Sequence, residues 1–122
     1  MSLYPSNEAF LAATGGSGSG SFAVEIFTGT AKNLVVADNL KFHVMDNAAA
    51  MTVTIPEDIT EDFPIGAEME FIREGIGTLT FVVAGAVALQ SRDGLVTLNA
   101  RYSAGTIKKI AINEWRLMGD LA

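Results

Sequence analysis

The stretch Met51-Thr52-Val53-Thr54-Ile55 decides the fold class. Its Met, Val and Ile fall on one side of an extended chain and its threonines on the other, the period-two pattern of a half-buried strand. Working outward from it, the same kind of short apolar run predicts strands at Ala23 to Phe27, Leu34 to Val36, Leu40 to Met45, Glu68 to Arg73, Thr78 to Val83, Ala86 to Gln90, Leu95 to Asn99, Thr106 to Ile112 and Trp115 to Met118. Between them stand Asp38-Asn39, Asp46-Asn47, Gly75-Ile76-Gly77, Ala84-Gly85, Asp93-Gly94 and Asn113-Glu114, all turn chemistry. Asp93-Gly94 and Asn113-Glu114 are the best hairpin candidates. After residue 22 there is no sustained helical stripe. Turns every 8–12 residues or so mark an all-β protein, and the expectation is a compact antiparallel β-sandwich or barrel of about 8–10 short strands, preceded by an extended N-terminal arm.

Residues 1–21 read differently from the rest. Ser6 caps at most a short helix over Asn7 to Ala13, and Gly15-Gly16-Ser17-Gly18-Ser19-Gly20-Ser21 is the composition of a flexible tether. A phosphate-binding loop is excluded, because Ser21-Phe22 stands where a lysine and a hydroxyl residue are required. The expected organisation is an arm and tether over 1–21 and a β-domain over 22–122. Tyr4, Phe10 and Leu11 are the arm's candidate partner-binding residues.

With 122 residues, 49% of them hydrophobic, the chain is long enough for one domain with a substantial core. It has no cysteine, which excludes a disulfide framework, an iron–sulfur cluster, a thiolate zinc site and a Cys nucleophile. A net charge of −6 argues against nucleic-acid binding, and no run approaches the ~20 apolar residues of a membrane span. The start of the chain lacks the basic head and apolar run of a signal peptide. The charge is local: residues 57–74 hold Glu57, Asp58, Glu61, Asp62, Glu68, Glu70 and Glu74 against Arg73 alone.

Leu79 to Leu89 carries no charged side chain, and Thr80 is its one polar side chain. Such a run must be covered, by a core or by a partner subunit. Leu79, Phe81, Val83, Val87, Leu89 and Trp115 are therefore interface candidates.

Catalytic and metal chemistry find little purchase. His43 is the single histidine, with strand alternation placing it opposite Phe42 and Val44, and no G-x-S-x-G accompanies it. Glu57-Asp58 and Glu61-Asp62 lie between Pro56 and Pro64. Their spacing matches no EF-hand, so a solvated acidic loop is favoured over a calcium site. One Trp and two Tyr make a sugar-hydrolysing cleft unpromising. Gly75-Ile76-Gly77 lacks the third glycine and helix of a dinucleotide fingerprint. No catalytic, metal or cofactor-binding residue is expected.

Thr52-Val53-Thr54-Ile55-Pro56, Phe63-Pro64-Ile65-Gly66, Gly75-Ile76-Gly77 before an apolar strand, Arg101-Tyr102-Ser103-Ala104, Asn113-Glu114-Trp115 and Gly119-Asp120-Leu121 follow one another in order. This series resembles a β-domain of tailed-bacteriophage virion structural proteins, of tail-fibre, tailspike-associated and head-decoration type, over roughly Leu40 to Leu121. The resemblance implies an all-β, often trimeric, non-enzymatic building block with no catalytic residues. No shaft, collagen-like repeat or heptad pattern stands upstream of the domain, which shifts the expectation toward a capsid decoration (cement) protein. Such a protein would form a homotrimer, with the major capsid protein or another virion protein as partner, and without nucleic acid, membrane or cofactor. It would be assembled in the bacterial host cytoplasm and reside in the virion. The alternative is a tail-fibre or tailspike-associated receptor-binding domain.

Overall fold

A computed structural model describes residues 21–122. They form nine strands: β1 (Ala23–Phe27), β2 (Ala31–Asn33), β3 (Lys41–Met45), β4 (Met51–Ile55), β5 (Glu68–Arg73), β6 (Leu79–Val83), β7 (Ala88–Gln90), β8 (Ala104–Ala111) and β9 (Glu114–Gly119). Two short 3-10 turns, Val36–Asp38 and Arg92–Gly94, are the helical elements among the described residues. No helix there is long and apolar enough to cross a membrane.

The fold is all-β, with mixed sheets. One sheet has the order β1-β3-β5-β8-β9-β7 and the other β2-β4-β6. Successive strands from β1 to β6 alternate between the sheets, and each of β1 to β4 pairs in parallel with the strand two further along. The chain thus climbs as a coil, each turn contributing one strand to each sheet. Parallel neighbours need a long crossover, and here the strand in the opposite sheet provides it. The β8–β9 hairpin then lies antiparallel beside β5, and β7 closes the row parallel to β9. The expected antiparallel architecture is therefore corrected: only the β5–β8–β9 pairings run that way. The same Asn, Asp and Gly punctuation that reverses a hairpin here carries the chain across to the other sheet.

Stacked corners show how. Asn47 Nδ2 donates to the Thr28 carbonyl at 2.7 Å in the coil before it, and the Gly77 N–H donates to the Asn47 carbonyl at 3.0 Å from the coil after it. A Cβ on Gly77 would lie 1.8 Å from the Ala49 carbonyl oxygen, and one on Gly75 2.3 Å from that of Asn47. Gly75-Ile76-Gly77 is a corner whose glycines let one coil rest directly on another.

The core is filled from both sheets. Met45, Met69, Phe71, Ile107, Trp115 and Leu117 of the larger sheet meet Met51, Val53, Ile55, Leu79 and Phe81 of the smaller. Phe71 and Phe81 pack edge to face at 5.1 Å, and Phe63, from the loop after β4, does the same with Trp115 at 5.3 Å. The alternation read in Met51 to Ile55 holds residue by residue.

Several boundaries differ from expectation. Leu34 to Val36 is no strand, since β2 ends at Asn33 and the chain enters a 3-10 turn. Leu95 to Asn99 makes only isolated bridges, Thr80 to Thr97 and Leu98 to Leu121. Asp93-Gly94 closes the second 3-10 turn and no hairpin. The β8–β9 turn centres on Ile112 and Asn113, with Asn113 itself at φ 51°.

The bridging segment covers the start of the Leu79 to Leu89 run, at Leu79 to Phe81, and leaves Val82 and Val83 exposed. It lies along the outer edge of β6, where the Phe81 N–H donates to the Val96 carbonyl at 2.9 Å and the Leu98 N–H to that of Leu79 at 3.0 Å. Leu79, Phe81, Val87 and Trp115 are buried in the core of a single chain and are withdrawn as interface candidates. Val83 is 40% exposed and Leu89 half-buried.

Phe71 sits in that core with two aromatic neighbours. Phe71→Ala is expected to cost about 3–5 kcal/mol, measured by urea unfolding.

Candidate functional site

One strand of the larger sheet buries a polar side chain and turns two apolar ones outward. On β3 the inward residues are His43 and Met45, both fully buried, whereas Phe42 and Val44 point outward. Strand pairing extends this outer face into two rows. One runs Val24, Phe42, Glu70, Thr106, Met118, and the other Ile26, Val44, Ile72, Ala104. Val24 and Ile26, on β1, which ends this sheet among the described residues, are 66% and 68% exposed. Between Phe42 and Met118 the face dips into a depression of about 250 Å³ beside Glu70, over the backbone of Ala104, Gly105 and Thr106. Large exposed apolar patches on soluble domains mark interaction sites.

The inward side of the first coil is charged. Glu25 on β1 and Lys32 on β2 face into it, and Asp38 comes from the 3-10 turn. Lys32 Nζ lies 3.2 Å from Asp38 Oδ1 and 3.6 Å from Glu25 Oε2, and Lys41 Nζ donates to Glu25 Oε1 at 2.9 Å. The His43 ring stacks on Phe71 at 4.8 Å, with Nε2 3.2 Å from the Asp38 carbonyl oxygen. Nδ1 is buried with no hydrogen-bond partner among the described residues.

Ligand atoms of Glu25, Asp38 and His43 lie within 4.8 Å of one another, a spacing compatible with a metal ion. The Lys32 ammonium already bridges the two carboxylates, however, and a metal would meet its positive charge. The cluster reads as an ion-pair network that closes the end of the core with polar groups, as terminal units of a coiled repeat do. The sequence reading missed it. Its signal was the alternation that sets Glu25 opposite Val24 and Ile26.

The loop between Pro56 and Pro64 was expected to be solvated, and the structure corrects this. Glu57 Oε2 accepts from the Ala86 N–H at 2.8 Å, and Glu61 Oε1 from that of Val36 at 2.8 Å. Asp58 pairs with the buried Lys109 at 2.8 Å and accepts from the Asn113 N–H at 3.0 Å. Lys109 Nζ also donates to the Phe63 carbonyl at 2.6 Å. Asp62 alone of the four has an exposed side chain, at 84%. These acids fasten the loop to three other segments, and a Cβ on Gly85, at φ +46°, would lie 2.3 Å from the Glu57 carboxylate.

Tyr4, Phe10 and Leu11 lie outside the described residues. No protein-family profile, no curated protein and no solved structure matches the chain.

Asp58→Ala would strand the buried Lys109 charge and is expected to cost about 3–5 kcal/mol, whereas Asp62→Ala should stay within about 0.5 kcal/mol. Chemical denaturation of the two variants side by side checks this. Burial holds the His43 imidazole below its ordinary 6.5, opposed in part by the Asp38 carbonyl and carboxylate. The unfolded chain therefore takes up the proton first. The stabilisation is complete above pH 6.5 and is lost as pH falls through the lowered folded value. Thermal melts between pH 7 and 5 should show the loss, and His43→Gln should remove that slope. Glu25, lowered from 4.5 chiefly by its hydrogen bond from Lys41, contributes its full stabilisation above 4.5 and loses it only as pH falls further, outside this range.

Proposed function

We propose that this chain is a non-enzymatic virion structural protein of a tailed bacteriophage, a capsid decoration (cement) protein. Its β-domain forms a homotrimer, and its N-terminal arm, through Tyr4, Phe10 and Leu11, docks on the capsid. The observation that carries this reading is the outer face of the larger sheet, where Val24, Ile26, Phe42, Val44, Ile72 and Met118 turn outward around Glu70 and Thr106. A catalyst needs a cleft with convergent reactive groups. The charge cluster of Glu25, Lys32, Asp38 and Lys41 is instead tied up in ion pairs, with Asp38 buried and Glu25 and Lys41 partly exposed. The ordered motif series from Thr52 to Leu121 supports the virion assignment. A trimer with three arms gains affinity by avidity, so weak individual arms suffice.

The alternative, a tail-fibre or tailspike-associated receptor-binding domain, draws on a second depression. It is lined by Asn33, Thr54, Thr60 and Glu61 beside Leu34 and Val35, an amphipathic surface suited to a glycan. Binding to host cells or glycans, abolished by Thr60→Trp, would favour it.

Full-length protein carrying Tyr4→Ala, Phe10→Ala and Leu11→Ala should keep its fold and oligomeric mass. It should lose capsid binding more than tenfold in co-sedimentation, roughly the least that avidity amplifies. Undiminished binding would remove the arm from the model of docking.

A further inference from the structure

We propose that the chain crosslinks itself: the Lys109 amine attacks the Asp58 carboxyl carbon, and the ion pair becomes an amide with loss of one water. The inference stands apart from the virion reading, since it concerns a bond within one chain.

Lys109 is the lysine most fully withheld from water, its side chain 2% exposed against 11% for Lys32, 33% for Lys41 and 44% for Lys108. β8 carries it inward opposite Trp115, and Phe63 supplies a carbonyl that accepts from Nζ at 2.6 Å. A lysine amine desolvated in an apolar pocket can serve as a nucleophile. Its target is held as firmly. The Asp58 N–H donates to Asn113 Oδ1 at 2.8 Å, and the Asn113 N–H donates back to Asp58 Oδ2 at 3.0 Å. That leaves Oδ1 turned toward Nζ at 2.8 Å. Lys32, the next most buried amine, is instead shared between Asp38 at 3.2 Å and Glu25 at 3.6 Å.

The step balances without any co-reactant. One proton crosses the Nζ–Oδ1 hydrogen bond and turns the ion pair into an amine and a carboxylic acid. The Nζ lone pair forms a bond to Cγ, and the carbonyl electrons move onto Oδ2, where the Asn113 N–H meets the developing charge. A second proton leaves Nζ for the Asp62 carboxylate, whose Oδ1 lies 3.8 Å away, and returns to Asp58 Oδ1. That oxygen departs as water when the carbonyl re-forms. The proton that stays on nitrogen is the one the Phe63 carbonyl accepts.

Two features drive the step forward. Groups held in reacting geometry behave as if present at about 10⁵–10⁸ M, far beyond any free amine and acid. The Asp58 side chain is 17% exposed, so the released water has a way out, while Lys109 stays sealed. The bond would fasten the 57–62 loop to the β8–β9 hairpin in a chain that has no cysteine to do so.

Intact-mass spectrometry of the folded full chain tests the proposal. The wild type should weigh one water less than its 12.9 kDa sequence, and Asp58→Ala and Lys109→Met should each keep the full mass. Trypsin should release residues 42–73 joined to 109–116, with the peptide bond after Lys109 uncut. Both of those variants disturb a buried pair, so Asp62→Asn, at a side chain 84% exposed, supplies the variant that keeps its fold. Followed after cell-free synthesis, it should lose water about 10²-fold more slowly at unchanged stability, and Asp62→Glu should restore the rate. Full mass in the folded wild type, with Lys109 cleaved by trypsin, overturns the proposal. So does a water loss that leaves Lys109 cleavable, as a succinimide at Asp93-Gly94 would.

Discussion

Everything in this fold depends on one coil resting squarely on the coil before it. A parallel ladder between strands two apart in sequence leaves no freedom at the corners, because a displaced corner shifts the register of both sheets and turns inward side chains out. The Asn47 corner is held from both sides, by its side-chain bond to Thr28 below and by the Gly77 N–H above. Gly75 and Gly77 come so close to it that no side chain fits between. With that stacking in place, Glu25, His43, Phe71 and Gly105 fall into one inward row, and Ile26, Val44, Ile72 and Ala104 into one outward row.

A coil has ends, and an end exposes the cross-section of its core. The first coil meets this with charge. Its inward positions hold Glu25 and Lys32 around Asp38, with Lys32 also lying 5.4 Å over the Phe27 ring. A second buried cation, Lys109, does related work elsewhere, binding the 57–62 loop to the β8–β9 hairpin through Asp58 and Asn113. Each network uses ionic groups inside the fold, where pairing is required, and so removes charge from the surface. The acidic segment is thereby a fastening more than a coat.

The outcome is a molecule whose polar groups are drawn inward at several points while apolar side chains stand outward on one sheet face. His43 and Phe42 make the contrast in adjacent residues: the imidazole lies in the core, and the benzyl group faces out. Folding alone does not favour that arrangement. It leaves apolar side chains on that face without cover from the described residues.

The sequence by itself determined that the chain is all-β, where most of its strands lie, and which residues share a face. Met51 to Ile55, Ala23 to Phe27 and Glu68 to Arg73 are strands at the boundaries read from alternation. Alternation is a local property, fixed by the geometry of one extended chain. Only the tertiary structure decided which of two faces turns inward and whether neighbouring strands run parallel. It also decided that Leu79 to Phe81 is edged by the chain's own residues 96–98, while Val82 and Val83 stay exposed. Thr106 to Ile112 and Lys41 to Met45 carry the same local pattern whether paired in parallel or antiparallel, since direction depends on where the intervening turn delivers the chain. Lys109, Asp58, Glu25 and Lys32 read as surface residues because no local pattern carries their partners. Asp58 and Lys109, 51 positions apart in sequence, meet only when the coil is complete.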